Sequence, residues 1–247
     1  MGHQIQIRGC WTDAAVPEMK NDFMVLANSV FGPFVTEAYY QTKFEHNIYG
    51  PSLLTVIYVD GQPAGADVMW RNDVRDVRAY QTVDTCVLKQ FRGMGLFKKI
   101  TCWELEALGE DTLVYGFPNR SSFPRYVKMG WRVNRLYKTF TLLHKDTTEL
   151  NAIDADYAKW WPKAQQGILH VNSKGKQYLI RKKEKSHMAV LLGRVDGDAA
   201  SLFPATKRAF LYQSFEIKPS IYNKNISIPL VCNRPKMEIP YWKIDAI

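Results

Sequence analysis

Between an alternating apolar run, Tyr80 to Leu88, and an amphipathic run, Lys98 to Leu108, lies the hexapeptide Arg92-Gly93-Met94-Gly95-Leu96-Phe97. Period-two alternation marks a strand and 3.6-residue spacing marks a helix. The chain must therefore pass from strand to helix through two glycines, and this junction constrains its fold more than any other stretch. Such a turn leaves backbone N–H groups without intrahelical partners at the positive end of the helix dipole, which suits a diphosphate. Glycine permits φ > 0 and a close approach of backbone to ligand. The same glycines also fit a plain βα turn. No Gly-Lys-Ser/Thr closes the segment, so it is not a P-loop. The third glycine and the early βαβ unit of the dinucleotide fingerprint are both missing.

Downstream, the short apolar strand Leu113 to Phe117 ends in the polar turn Pro118-Asn119-Arg120. A short helix is predicted next, capped by Ser121 or Ser122, with Pro124 in its first turn and Gly130 as its stop. Asn119, Ser122, Tyr126, Gly130 and Trp131 stand at offsets of zero, three, seven, eleven and twelve. With Val87-Leu88-Lys89-Gln90-Phe91-Arg92-Gly93-Met94-Gly95-Leu96-Phe97, these two segments resemble the GNAT superfamily of acyl-CoA-dependent N-acyltransferases. Its cofactor segment reads Val-x-Pro-x-Tyr-Arg-Gly-x-Gly-x-Gly, and its next segment carries Asn, a small residue, Tyr and Gly-aromatic at those offsets. The resemblance covers roughly residues 1 to 145. Lys89 replaces the usual proline, and Phe97 stands where a third small residue is common. A branch with an Arg-Gly-x-Gly-Leu-Phe ending is also similar at Asp84-Thr85 and at Gly116-Phe117-Pro118-Asn119, and members of that branch serve bacterial surface-polysaccharide synthesis.

The resemblance implies an α/β fold, a GNAT-like central mixed sheet flanked by helices. It implies acetyl-CoA, or another acyl-CoA, as co-substrate and a small-molecule primary amine as acceptor, with a nucleotide-linked amino sugar as one candidate. Backbone groups of Cys86 and Val87 would hold the pantetheine arm. The amides of Arg92, Gly93, Met94, Gly95, Leu96 and Phe97 would hold the diphosphate. Asn119 and Ser122 would also contact the cofactor, and Tyr126 would donate a proton to the leaving sulfur. Without the resemblance, Tyr126 reads as a core tyrosine on a short helix. Asp84, on the strand leading into the turn, is the candidate general base. It reads equally as a structural carboxylate holding a neighbouring loop. Glu37, Glu45 and Asp67 are weaker candidates for the base.

Composition narrows the alternatives. The chain has 247 residues and 46% hydrophobic content, enough for a substantial core. Cys10, Cys86, Cys102 and Cys232 show no metal or disulfide spacing and read as reduced, buried thiols. The five histidines are scattered, and no metal site is expected. No apolar run approaches a membrane span, and the N-terminal residues carry no apolar signal core, so a cytoplasmic location is expected. The net charge of +9 favours anionic partners, a coenzyme or nucleic acid among them. No DNA- or RNA-reading motif is present, which makes nucleic-acid binding the weaker alternative. A CoA- or aminoacyl-donor-binding scaffold without catalysis is the other alternative, and a homodimer is left open.

Along the chain, Ile5 to Arg8 reads as a strand, and Pro17 to Val30 and Phe34 to Phe44 as helices. Leu53 to Val59 and Pro63 to Trp70 read as a hairpin about Asp60-Gly61, and Arg78 to Leu88 as its third strand. A final strand is expected from Trp131 to Leu143. The aromatics Phe34, Tyr39, Tyr40, Phe44, Tyr49 and Trp70 read either as core or as a stacking platform for an acceptor. After the linker Asp146-Thr147-Thr148 come a helix around Leu150 to Trp160, the charged run Arg181 to Lys185 as a solvated turn or strand end, and a strand from Met188 to Val195. A helix over Thr206 to Tyr212 and strands over Ile226 to Val231 and Tyr241 to Ile244 complete the reading. The expected organisation is a catalytic domain over 1–145 and a smaller α+β accessory domain over 146–247, a candidate degenerate GNAT-like half.

Overall fold

The computed structural model describes residues 2–109, 111–141, 153–161, 168–173, 175–182, 188–195, 197–206, 211–216 and 227–234. The chain divides into two compact units, residues 1–132 with 231–235, and residues 133–230 with 236–247. The first holds β1 (Ile5–Trp11), α1 (Pro17–Phe31), α2 (Glu37–Tyr40), β2 (Leu53–Val59), β3 (Gln62–Arg71), β4 (Ala79–Val87), α3 (Leu96–Leu108), β5 (Leu113–Gly116) and α4 (Phe123–Lys128).

β1 to β4 form an antiparallel meander. The two-residue turn joining β2 to β3 puts Asp60 at φ 50° and Gly61 at φ 78°, the double positive φ of a tight hairpin. β5 adds to β4 in parallel, with registered pairs from Ala79↔Leu113 to Gln81↔Tyr115. Among the described residues, β4 has no registered β5 partner beyond Gln81. On the far side of β5, Val231 and Cys232 pair antiparallel with Gly116 and Tyr115. Asn233 fixes this late segment, donating from its backbone to the Val114 carbonyl and accepting from the Val114 amide through Oδ1 at 2.9 Å.

Helices cover both faces of this sheet. Leu96 and Ile100 of α3 pack with Ile57 and Val59, whereas the intervening Tyr58 donates through its hydroxyl to Asp22 of α1 at 2.8 Å. Alternate residues of a strand face opposite sides, so α3 and α1 lie on opposite faces. Phe23 of α1 meets Tyr40 and Phe44 at ring distances of 6.0 and 5.9 Å. Tyr40, Phe44 and Trp70 are fully buried, so half of the aromatic series is core.

Several expectations change in detail. The second helix starts at Glu37, because Thr36 caps it by accepting from the Tyr39 amide at 3.1 Å, and it continues as a wider π-type turn over Gln41–Glu45. Neither Ser121 nor Ser122 caps α4 through its side chain. Asn119 Oδ1 instead accepts from the Ser121 and Ser122 amides at 2.9 and 3.0 Å. The four cysteines are free, but only Cys86 and Cys232 are buried; Cys10 is half-buried and Cys102 exposed.

In the second unit, β6 (Arg132–Thr141), α5 (Ala155–Trp160), β7 (Ile168–Ser173), β8 (Lys176–Lys182), β9 (Met188–Arg194), β10 (Leu211–Glu216) and β11 (Ser227–Cys232) are described. Arg132 of β6 and the end of β11 belong to the first unit. The meander β7–β8–β9 meets β10 in parallel, and β10 pairs antiparallel with β6. The helix expected over Thr206 to Tyr212 is not found where it is described, because Leu211 and Tyr212 begin a strand. Ladder pairing on both sides of the backbone outweighs local helix propensity. The linker at 146–148, the strand over 241–244, His144 and His187 lie outside the described residues.

Candidate active site

The end of β4 runs through a 3-10 turn at Lys89–Phe91 into Gly93, at φ 92°, and Gly95, at φ 72°, and then into α3. No side chain caps α3, so its first-turn amides face outward at the positive end of the helix. They border a cleft of about 400 Å³ that also touches Val87, Phe91, Arg125, Lys128 and Met129. Arg92, Lys98, Arg125 and Lys128 are exposed around it, giving a cationic rim above a partly apolar floor. Phe97 does not fill the cleft. Its ring turns into the core, 5.1 Å from the Tyr126 ring, and the Arg125 guanidinium lies 5.4 Å over it. A Cβ on Gly95 would meet nothing within 4 Å, so Gly95→Ala tests backbone strain alone. Chemical denaturation is expected to show a loss of about 1–2 kcal/mol, the cost of a left-handed L-residue.

The cofactor residues expected from sequence separate into two groups. Val87, Arg92, Gly93, Gly95, Leu96 and Phe97 line the cleft. Cys86 is 2% exposed, and burial pushes its thiol up to about 12, so it is an inert core thiol. Met94 packs under the sheet beside Ile57 and Leu96. Asn119 and Ser122 are not among the residues that line the cleft, and the Asn119 side chain organises the start of α4. The Val87 carbonyl accepts from Arg92 Nε at 3.2 Å.

Tyr126 is 3% exposed, between Phe97 and Trp131. Its hydroxyl contacts Thr82 Oγ1 at 2.8 Å, and Thr82 Oγ1 contacts Thr85 Oγ1 at 3.2 Å. Thr85 in turn donates to Asp67 Oδ1 at 2.8 Å. Burial first, then the nearby Asp67 charge, raises the phenol far above its ordinary value. Beneath this chain, Asp67 of β3 and Glu104 of α3 are both fully buried. Burial holds Asp67 up to about 6, and burial followed by repulsion from Asp67 holds Glu104 well above the usual carboxylate range.

Asp84 sits at φ 56°, where β4 carries one residue more than β3 between Val83 and Cys86. A bulge of this kind re-aims side chains, and aspartate tolerates the left-handed region better than most residues. Its Oδ2 accepts from the Tyr39 hydroxyl at 3.1 Å and from Lys43 Nζ at 3.2 Å. Lys43 is wholly buried, also donates to the Tyr39 hydroxyl at 2.5 Å, and lies 4.9–5.2 Å from the ring centres of Tyr39, Phe44 and Trp70. Asp84 thus ties the π-type turn to the sheet. Glu37 and Glu45 both pair with Lys20 Nζ, at 2.5 and 2.7 Å. Sequence reasoning missed Lys43, Thr82, Glu104, Arg125 and Lys128. For Arg125 and Lys128, three apart on the helix after Asn119, the spacing was a usable signal.

Among the described residues, no group of three or more His, Cys, Asp or Glu is arranged to hold a metal, and no helix is long and apolar enough to cross a membrane. No protein-family model and no curated protein matches the chain. Solved structures do. A GCN5-related N-acetyltransferase from Kribbella flavida is 10% identical with a TM-score of 0.57, over 93% of this chain and 71% of that one. A conserved protein of unknown function from Enterococcus faecalis V583, described as a candidate N-acyltransferase, is 12% identical with a TM-score of 0.56, over 93% and 72%. A candidate acetyltransferase from Pyrococcus horikoshii is 14% identical with a TM-score of 0.52, over 97% and 94%. At these identities the likeness is one of architecture, and the chain has the mixed-sheet fold of the GCN5-related N-acetyltransferases.

Proposed function

We propose that this protein is an acyl-CoA-dependent N-acyltransferase that moves an acetyl group to a primary amine, an amino sugar among the candidates, within a catalytic region over 1–145 supported by an accessory region over 146–247. The observation that carries the reading is the uncapped N-terminus of α3, opening through Gly93 and Gly95 onto a cleft rimmed by Arg92, Lys98, Arg125 and Lys128. Outward amides and a cationic rim suit linked phosphates. The β4 edge beyond Gln81 suits a pantetheine arm lying beside Val87.

The reaction joins the amine nitrogen to the thioester carbonyl and expels a thiolate. Holding both reactants in register supplies much of the acceleration. Tyr126 is the proposed proton donor to sulfur. Asp84, already paired with Lys43, is better suited to shaping the acceptor wall than to removing a proton, which leaves water to carry that proton away.

Acetyl-CoA at roughly 100 times its dissociation constant should stabilise the native state by about 2.7 kcal/mol, a rise in melting temperature of about 5–10 °C for a chain of this size. Scanning calorimetry with millimolar acetyl-CoA checks this, and an unchanged melting temperature would end the proposal. A second reading, a coenzyme-binding scaffold without catalysis, is favoured by the commitment of Asp84 to Lys43 and Tyr39. It predicts the same thermal shift with no acetyl transfer across a broad amine panel.

A further inference from the structure

Asp67 and Glu104 pose a problem of charge. Both are fully buried, and none of the described ion pairs involves either. Glu104 faces Asp67 on one side and the Thr55 hydroxyl of the adjoining β2 on the other, and with both carboxylates ionised Asp67 Oδ2 and Glu104 would meet as acceptor against acceptor. Two ionised carboxylates so placed would carry a desolvation and repulsion cost that neutral donors such as Thr55 and Thr85 offset only in part. One proton bridging the pair removes most of it. The proton belongs on Glu104, because Asp67 Oδ1 already accepts from the Val68 amide at 2.9 Å and the Thr85 hydroxyl at 2.8 Å, which favour its ionised form.

We propose that Asp67 and Glu104 share a single proton held on Glu104, and that the ionised Asp67 turns the hydroxyls of Thr85, Thr82 and Tyr126 inward in succession, so that Tyr126 donates to Thr82 and presents only lone pairs outward. The polarity follows from the donor inventory. Each hydroxyl has one proton to give. Thr85 gives its proton to Asp67, so Thr82 must give to Thr85 and Tyr126 to Thr82. The other titratable groups acting on this cluster are Asp84 and Cys86 of β4; Asp84 opposes ionisation of Asp67, and the Cys86 thiol is neutral. When Asp67 takes up a proton, it becomes a donor and the chain can reverse, freeing the Tyr126 O–H to point outward. The rise of Asp67 toward 6 puts that reversal in a mildly acidic range.

Asp67 and Glu104 are thus positioning residues for Tyr126. The consequence for catalysis rests on the acyltransferase reading. Tyr126 would give its proton to the thiolate, forming S–H. The phenolate would be reprotonated by Thr82, Thr82 by Thr85, and Thr85 by the Asp67 carboxyl, which returns to carboxylate and regains its proton from solvent. The share of turnover owed to Tyr126 should therefore fall as pH rises through the ionisation of Asp67.

Infrared difference spectroscopy of the ligand-free protein tests the inference. Wild type minus Glu104→Gln should show the carbonyl stretch of a protonated carboxylic acid at about pH 7.5. The phenolic C–O band assigned by Tyr126→Phe should shift between about pH 5 and 7.5 as the hydroxyl changes from accepting to donating, and Thr85→Val should abolish that shift. In kinetics, the ratio of wild-type to Tyr126→Phe kcat should fall by about tenfold over the same range. Absence of the carboxylic band, a phenolic band unmoved by pH in wild type, or a flat kcat ratio in an active enzyme would overturn the inference. Both bands in a protein that gains no stability from acetyl-CoA would uphold it while removing the acyltransferase reading.

Discussion

Lys43→Ala is expected to destabilise the protein by about 3–5 kcal/mol, the range for breaking a buried ion pair from one side. The ammonium is wholly buried, and its Asp84 partner is 11% exposed at the side chain. Removing the cation leaves that carboxylate with the Tyr39 hydroxyl as a neutral donor and takes away a charge enclosed by the faces of Tyr39, Phe44 and Trp70. Urea denaturation would show the midpoint falling, and the melting temperature should drop by roughly 10 °C or more. Lys43→Met keeps most of the volume and should remain strongly destabilised. Adding Asp84→Asn to Lys43→Met should recover part of the loss, because no unpaired charge then stays behind. A Lys43→Met protein as stable as wild type would show that this ion pair does not hold the π-type turn on the sheet.

The second large effect is a dependence of stability on pH that runs opposite to the usual acid denaturation. Asp67 binds its proton more tightly folded, at about 6, than its ordinary value of 3.8. The native state therefore carries more protons than the unfolded state between those limits, and stability falls as pH rises through them. That difference corresponds to roughly 3 kcal/mol. Glu104, shifted further in the same direction, extends the decline upward. Asp67→Asn should remove the slope owed to Asp67 and leave the variant more stable than wild type near neutrality, by an amount on the order of 1–3 kcal/mol. The comparison to make is wild type against Asp67→Asn across about pH 4 to 7.5, so that the opposing contributions of exposed carboxylates cancel. Parallel curves would contradict the burial cost assigned to this pair.

The sequence displays the elements whose patterns are local. The switch of period at Arg92–Phe97 marks the passage from β4 to α3, Asp60-Gly61 marks its hairpin, and the interval from Asn119 to Trp131 marks α4. What remained hidden depends on contacts between residues far apart in the chain. Val83-Asp84-Thr85 reads as ordinary alternation, and the bulge emerges only when β4 is laid against β3. Lys43 stands among polar residues on a predicted helix, and nothing nearby announces that Asp84 will accept its charge. Asp67 and Glu104 meet because β3 and α3 pack together. The helix expected over Thr206 to Tyr212 runs into β10 at Leu211 and Tyr212, where two neighbouring strands compete for the backbone.

The two residues that pair with β5, Val231 and Cys232, have a consequence for biosynthesis. More than a hundred residues separate them from Gly116, which at ordinary translation speeds is a delay on the order of ten seconds. Throughout that interval the nascent chain holds Leu113–Gly116 with an open row of amides and carbonyls, available to any extended segment that arrives first. A gene shortened to end well before Val231 would make that exposure permanent, so recombinant fragments ending near residue 145 should be prone to edge-to-edge association unless Val231 to Arg234 are supplied as a peptide.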